Sequence, residues 1–257
     1  MATLRRSLRL LNAFRHERTD PARFYGPLAA DTAAMAGELY RGAAGASLAG
    51  ATVVDVGGGP GYFAAEFLAR GARYVAVEPD PGELHAAGLW TDGAGGADGV
   101  AAVRGSGMAL PLRTDAVDMC LSSNVAEHIA RPWTMADEML RVTRPGGLVV
   151  LSYTVWHGPF GGHETGRWHW LGGEFAARRY LRRHGREPKN RYGVSLFPVR
   201  AADGLAWAAA VAAAGRGDVV AAFPRYHPRW AWWIVRVPGL RELAVSNLCL
   251  VVRKRQR

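Results

Sequence analysis

The feature that most constrains this chain is an apolar run that ends in an acid, passes through spaced glycines and enters a helix. Residues 53–62 read Val-Val-Asp-Val-Gly-Gly-Gly-Pro-Gly-Tyr, so a strand finishes at Asp55 and delivers Gly57, Gly59 and Gly61 into a tight turn. Glycine tolerates positive φ and leaves room for a ligand to approach the backbone. The helix beyond offers unpaired N–H groups and the positive end of its dipole, which suit a carboxylate or another polar ligand.

Further along, strands and helices alternate. Strands are expected at 51–56, 74–78, 100–104, 117–122 and 148–153, which predicts an α/β fold with a parallel sheet and ligands at the strand carboxyl ends. Phe63, Phe67 and Leu68 fall on one face of the helix after the glycines, which Gly71 ends. A short helix is expected at 81–89 and a glycine-rich loop at 91–99. Pro132 opens a helix that buries Met135, Met139 and Val142. Arg144, Pro145, Gly146 and Gly147 then read as a helix stop and turn. Upstream, Leu4, Leu8, Leu11 and Phe14 sit at helical spacing among arginines, and a second helix covers 20–40. Downstream, helices are expected near 173–183 and 203–214, with final strands at 219–223 and 247–253.

A length of 257 residues with 49% hydrophobic content is enough for one α/β domain with elaborations. The net charge of +10 is almost all arginine, since Lys189 and Lys254 are the only lysines. Either codon composition or attraction to an anionic partner would account for that balance, and charge alone does not choose between them. Cys120 and Cys249 lie in apolar strands and read as small buried hydrophobes in a reducing compartment. No apolar stretch follows Arg5, Arg6 and Arg9, and no run reaches the roughly 18 apolar residues of a spanning helix. A cytoplasmic protein is expected, with a peripheral membrane contact as an alternative.

The glycine turn alone does not select its ligand. A dinucleotide fingerprint read from Gly57 fails at Tyr62, while the looser form read from Gly59 ends acceptably at Ala64. Asp55 argues against a pyrophosphate, which it would repel. No lysine follows a tyrosine by four positions, as short-chain nicotinamide oxidoreductases require.

Taken with the stretches Ala-Thr-Leu-Arg-Arg-Ser-Leu-Arg-Leu-Leu at 2–11 and Ser-Ser-Asn-Val-Ala-Glu-His at 122–128, the chain resembles class I S-adenosylmethionine-dependent methyltransferases of the type 11 group. It is similar in particular to an actinobacterial branch with mycobacterial members. The resemblance implies a Rossmann-like seven-stranded sheet whose last strand is antiparallel. It also implies one methyltransferase domain: an N-terminal helical cap (1–47), a cofactor-binding core (48–153), an inserted lid and substrate region (154–216) and the last strands (217–257).

Site roles follow from the resemblance by position. Asp55, Gly57, Gly59 and Gly61 would cradle the methionine part of S-adenosylmethionine, with Asp55 accepting from its amino group. Glu78 would hold both ribose hydroxyls, and a carboxylate has the paired acceptors for that. Ser106 stands where the family commonly has an acid for the adenine amino group, Met108 would pack on the purine, and Asn124 would face the methyl donor. Tyr25 would cap the cofactor or pack internally.

Methyl transfer to a hydroxyl needs alignment and a base. His128 is the first candidate, Glu127 the neighbouring alternative, and His163 with Glu164 a second acid–base pair. His157, His163 and His169 match no standard zinc spacing, so no metal is expected. Trp156, Trp168 and Trp170 suit a lid over a large or apolar acceptor. Asn124-Val125-Ala126-Glu127-His128 lacks the prolines of enzymes that methylate base amines, which disfavours nucleic acid. A small-molecule or lipid-like acceptor is expected, and the cluster of Trp230, Trp232 and Trp233, flanked by Arg225, Arg229 and Arg236, reads either as an interfacial patch with its arginines toward headgroups or as a lid or dimer contact.

Overall fold

The computed structural model describes residues 2–16, 20–86 and 100–256. Helices α1 (Leu4–Phe14) and α2 (Pro21–Ala44) come first, then β1 (Thr52–Val56), α3 (Ala64–Leu68), β2 (Arg73–Glu78), α4 (Pro81–Ala86), β3 (Val100–Arg104) and β4 (Val117–Ser123). After them come α5 (Pro132–Val142), β5 (Thr143–Thr154), α6 (Gly173–His184), α7 (Ala201–Ala213), β6 (Gly217–Pro224), α8 (Leu240–Ala244) and β7 (Asn247–Lys254).

The seven strands form one sheet in the order β3-β2-β1-β4-β5-β7-β6. All pairings are parallel except those of β7, which runs antiparallel to both β5 and β6. Chain order reverses between β1 and β4, and such a reversal leaves a crevice at the strand carboxyl ends where ligands bind. Alternate residues of each strand feed two cores. Val54 and Val56 join Met135, Met139 and Trp207 on one face, while Val53 joins Phe24, Phe67 and Tyr74 on the other.

Local chemistry explains the helix ends. The Asp20 carboxylate accepts from the Arg23 N–H, Pro21 occupies the first turn, and Gly45 closes α2 in the left-handed region. Ala43 packs against the core beyond residue 40, so α2 runs four residues beyond the expected end. The segment Arg144 to Gly147 lies within β5, not in the expected turn. A register shift between Val117 and Met119 absorbs it as a bulge. Within the expected helix at 81–89 the structure shows Pro81–Ala86. Its remainder and the expected loop at 91–99 lie outside the described residues.

Residues Arg229–Arg236 form a 3₁₀ segment. Trp232 stacks on Phe223 with centroids 4.3 Å apart, while Trp230 and Trp233 remain 72% and 52% exposed. Cys120 and Cys249 are free and buried, as expected of small apolar residues. Among the described residues, no helix is long and apolar enough to cross a membrane.

Candidate active site

A cavity of about 850 Å³ opens over the carboxyl ends of β1 and β4. The β1 loop contributes Asp55, Gly57 and Gly59, and the segment after β4 contributes Asn124, Glu127 and His128. His163 reaches the same cavity from the region between β5 and α6. Sequence separation had kept these groups apart; the strand reversal brings them together.

Asp55 is buried at the end of β1. Tyr74 pairs with Val53 on the neighbouring strand, which makes it a diagonal neighbour of Asp55, and its hydroxyl donates to Asp55 Oδ2 at 2.5 Å. Burial pushes the Asp55 carboxyl up to about 6, helped by the negative charge of Glu78 and opposed by the Tyr74 hydrogen bond and the Arg225 charge. Gly57 has φ 74°, and a β-carbon there would fall 2.6 Å from Val125 Cγ1. Gly59 has φ 52°, but its β-carbon would meet nothing within 4 Å. A side chain at Gly59 would therefore occupy the open cradle itself.

Glu78, Gly61, Ser106 and Met108 lie outside the cavity lining. Glu78 nevertheless holds the loop: Oε2 accepts from the Gly59 N–H and Oε1 from the Asp80 N–H, both at 3.1 Å. Burial raises its pKa. Gly61 closes the turn by donating to the Gly58 carbonyl at 3.0 Å. Ser106 is exposed, and its hydroxyl accepts from the half-buried Met108 N–H at 3.2 Å.

Asn124 adopts φ 58°, a left-handed conformation that asparagine tolerates better than most residues. Its side chain accepts from Asn247 at 2.6 Å and donates to the Tyr226 hydroxyl at 3.4 Å. Glu127 is 2% exposed. Its Oε1 accepts from the Thr154 N–H at 3.1 Å, while Oε2 is buried without a hydrogen-bond partner among the described residues. His128 Nδ1 lies 2.7 Å from the Ser195 carbonyl oxygen. A carbonyl only accepts, so Nδ1 carries a proton and donates, and Nε2 is the ring nitrogen left for the cavity. The His128 and His163 rings meet edge to face with centroids 5.1 Å apart.

Of the other histidines, His169 is buried against Trp156 and bonded through Nδ1 to the Gly166 carbonyl at 2.7 Å. Burial lowers its pKa, and it packs the loop that carries His163. Tyr25 stacks on Tyr62 with centroids 3.8 Å apart, and both rings line the cavity.

Two functional neighbours escaped the sequence reading. Tyr74 looks like an ordinary apolar strand residue until the register places it beside Asp55. Arg225, expected beside the tryptophans with its charge toward headgroups, is instead fully buried, because hydroxyls inside the fold take up its guanidinium. Its guanidinium donates to Ser123 at 2.5 Å, Ser152 at 2.7 Å and Thr32 at 2.5 Å. Arg6 in α1 pairs with Asp31 through two hydrogen bonds of 2.5 and 2.7 Å and donates to the Arg225 carbonyl at 2.8 Å. The N-terminal helix is thereby tied to the floor of the cavity.

Residues 54–151 match a family described as "Methyltransferase domain". An uncharacterized methyltransferase of Mycobacterium avium (strain 104) is 64% identical over 252 residues, covering 98% of this chain and 96% of the relative. One from Mycobacterium marinum (strain ATCC BAA-535 / M) is 63% identical over 254 residues, covering 99% and 96%. The crystal structure of an S-adenosylmethionine-dependent methyltransferase from Mesorhizobium loti shares the fold, with a TM-score of 0.52 at 18% identity over 81% of this chain and 92% of that one. The open cradle at Gly59 and the buried carboxylate of Asp55 fit the cofactor of such enzymes, a sulfonium whose methionine end carries a cationic amino group. On full-length similarity, fold and site together, the chain belongs to the class I S-adenosylmethionine-dependent methyltransferases, in a branch with these mycobacterial relatives.

Proposed function

We propose that the enzyme methylates a hydroxyl or carbon of a small or lipid-like metabolite held in the same cavity as the cofactor. One observation carries the reading. A single space of about 850 Å³ is lined both by the glycine loop with Asp55 and by Glu127, His128 and His163. That size lies within the range of small-molecule sites.

In this reading Asp55 binds the cofactor's amino group, the Gly59 region leaves room for its backbone approach, and Glu78 either holds the ribose or keeps the loop in place. The bound cofactor supplies an activated methyl group on a sulfonium. The protein aligns the acceptor and receives its proton where the acceptor is a hydroxyl. Glu127, His128 and His163 form the group placed to work on that acceptor. The run from Asn124 to His128 carries no proline, which disfavours base-amine methylation.

Methyl-labelled S-adenosylmethionine, incubated with the protein and separated lipid, aqueous, protein and nucleic-acid fractions of an actinobacterial extract, tests the acceptor class. Label is expected in the lipid or small-molecule fraction. Label in nucleic acid would overturn the assignment, and cofactor binding with no label anywhere would favour a non-catalytic binding module.

An exposed apolar face supports the lipid-like option. Leu4, Leu8 and Leu11 of α1 are each more than half exposed, and Trp230 and Trp233 of the 3₁₀ segment are exposed as well. The Arg229 N–H donates to the Ala2 carbonyl at 2.7 Å, tying the residues just before α1 to the start of that segment. Arg5, Arg9, Arg229 and Arg236 are exposed around this face. Indoles and leucines beside arginines suit an anionic bilayer surface. The protein is expected to sediment with anionic vesicles at low salt, with binding about tenfold weaker when Trp230 and Trp233 are both alanine. Equal sedimentation with neutral vesicles, or none with either, would count against a membrane contact.

A further inference from the structure

We propose that Glu127, His128 and His163 bind a divalent first-row transition-metal ion inside the acceptor cavity. One oxygen or nitrogen atom from each of the three residues lies within 4.8 Å of the other two. Two imidazoles and one carboxylate are a donor set for zinc, iron(II) or cobalt(II), and three protein ligands leave positions open for an incoming oxygen. Magnesium and calcium prefer oxygen donors throughout.

The orientation of each ligand supports the assignment. Metal-binding histidines usually donate their second ring N–H to a backbone carbonyl or carboxylate, which fixes the tautomer and aims the free nitrogen. His128 does so through Nδ1 to the Ser195 carbonyl at 2.7 Å. His163 places Nδ1 3.2 Å from the Gly161 carbonyl. Glu127 is anchored in the same fashion: Oε1 is held by the Thr154 N–H, and Oε2 is buried without a hydrogen-bond partner among the described residues. Leaving a buried carboxylate oxygen unpaired is costly, and a cation removes that cost.

Ligand atoms about 2.1 Å from a tetrahedral ion stand roughly 3.4 Å apart, so the three side chains draw together on binding. His163 is the mobile partner in this closure, because its ring is held by the weaker of the two backbone contacts. The backbone that carries it is closely packed: a side chain at Gly161 would collide with the Trp156 carbonyl. His157 and His169, the other histidines of this region, stand outside the cluster.

This inference deepens the proposed acceptor site and rests on that reading for its role. A hydroxyl bound to the ion would ionise more readily, and with all three side chains on the metal its proton would pass to water in place of a side-chain base. Metal binding itself is measured without cofactor or acceptor. Chelator-stripped full-length protein is dialysed against zinc(II), and separately against cobalt(II), with bound metal counted and the cobalt absorption recorded. About one equivalent is expected, with the visible spectrum of nitrogen- and oxygen-bound cobalt. His163→Ala and His128→Asn are each expected to weaken binding about 100-fold, while His157→Ala retains the equivalent. S-adenosylmethionine binding, measured in parallel, confirms that each variant is folded. No stoichiometric metal in protein that binds the cofactor, or unchanged affinity in both His163→Ala and His128→Asn, would overturn the site and leave the methyltransferase assignment intact. Loss of cofactor binding in the wild-type protein would instead strike at the proposed function.

Discussion

Replacing Asp55 by asparagine is expected to weaken S-adenosylmethionine binding about 100-fold while making the free protein more stable at neutral pH. The first effect follows from removing a buried charge that would pair with the cofactor's amino group, a loss of about 2.7 kcal/mol. The second follows from the proton balance. Burial holds the folded-state pKa at about 6, above the ordinary value of 3.8. The folded protein therefore binds this proton more tightly than the unfolded chain. The resulting stabilisation is fully present below pH 3.8 and is lost as pH rises through about 6. Each pH unit corresponds to about 1.4 kcal/mol, so ionised Asp55 costs folding about 3 kcal/mol at neutral pH. The neutral amide keeps an acceptor for the Tyr74 hydroxyl and avoids that cost.

Cofactor affinity in the wild type should in turn fall as pH drops below about 6, approaching tenfold per unit, because the proton competes with the ammonium group. Calorimetric titration and thermal melts across pH check both halves. Equal cofactor affinity in wild type and Asp55→Asn would reject the assigned role, and a lower melting temperature for the variant at pH 8 would reject the electrostatic account.

Arg225 sets the second large expectation. Arg225→Ala should lower stability by about 4 kcal/mol, because it opens a cavity and leaves the buried hydroxyls of Ser152 and Thr32 and the half-buried hydroxyl of Ser123 without their donor. For a chain of this size that corresponds to a drop on the order of 10 °C in melting temperature. Arg225→Met refills much of the volume and removes a buried cation that bonds only hydroxyls among the described residues, so its loss should be smaller. Both variants should move the Asp55 titration to higher pH, since the Arg225 charge lowers it in the wild type. A melting temperature for Arg225→Ala within about 2 °C of wild type would show that the hydroxyl network carries little stability.

The parts of this molecule legible in its sequence were those governed by local rules. The strand ending at Asp55 could be read because apolar alternation and glycine spacing act over a few residues. The helix from Pro132 could be read because Met135, Met139 and Val142 keep one face. Long-range register was hidden. Tyr74 becomes the partner of Asp55 only through the pairing of β1 with β2. Glu127 and His128 were visible as neighbours, but their approach to His163 depends on a loop folding back across the strand ends. Arg225 was the least legible, because its three hydroxyl partners come from α2, β4 and β5. The tryptophan cluster divided unexpectedly: the 3₁₀ path turns Trp232 inward onto Phe223 and its neighbours outward.

Helix α1 has a kinetic consequence for the lipid-like option. Its exposed leucines run along its length, while Phe14 at its last turn and the adjacent Arg15 border the cavity. An enzyme resting on a bilayer by this helix would meet an acceptor dissolved in the same film by lateral diffusion. Turnover would then follow the acceptor's mole fraction in the surface, and inert lipid would slow the reaction by dilution even at constant bulk concentration.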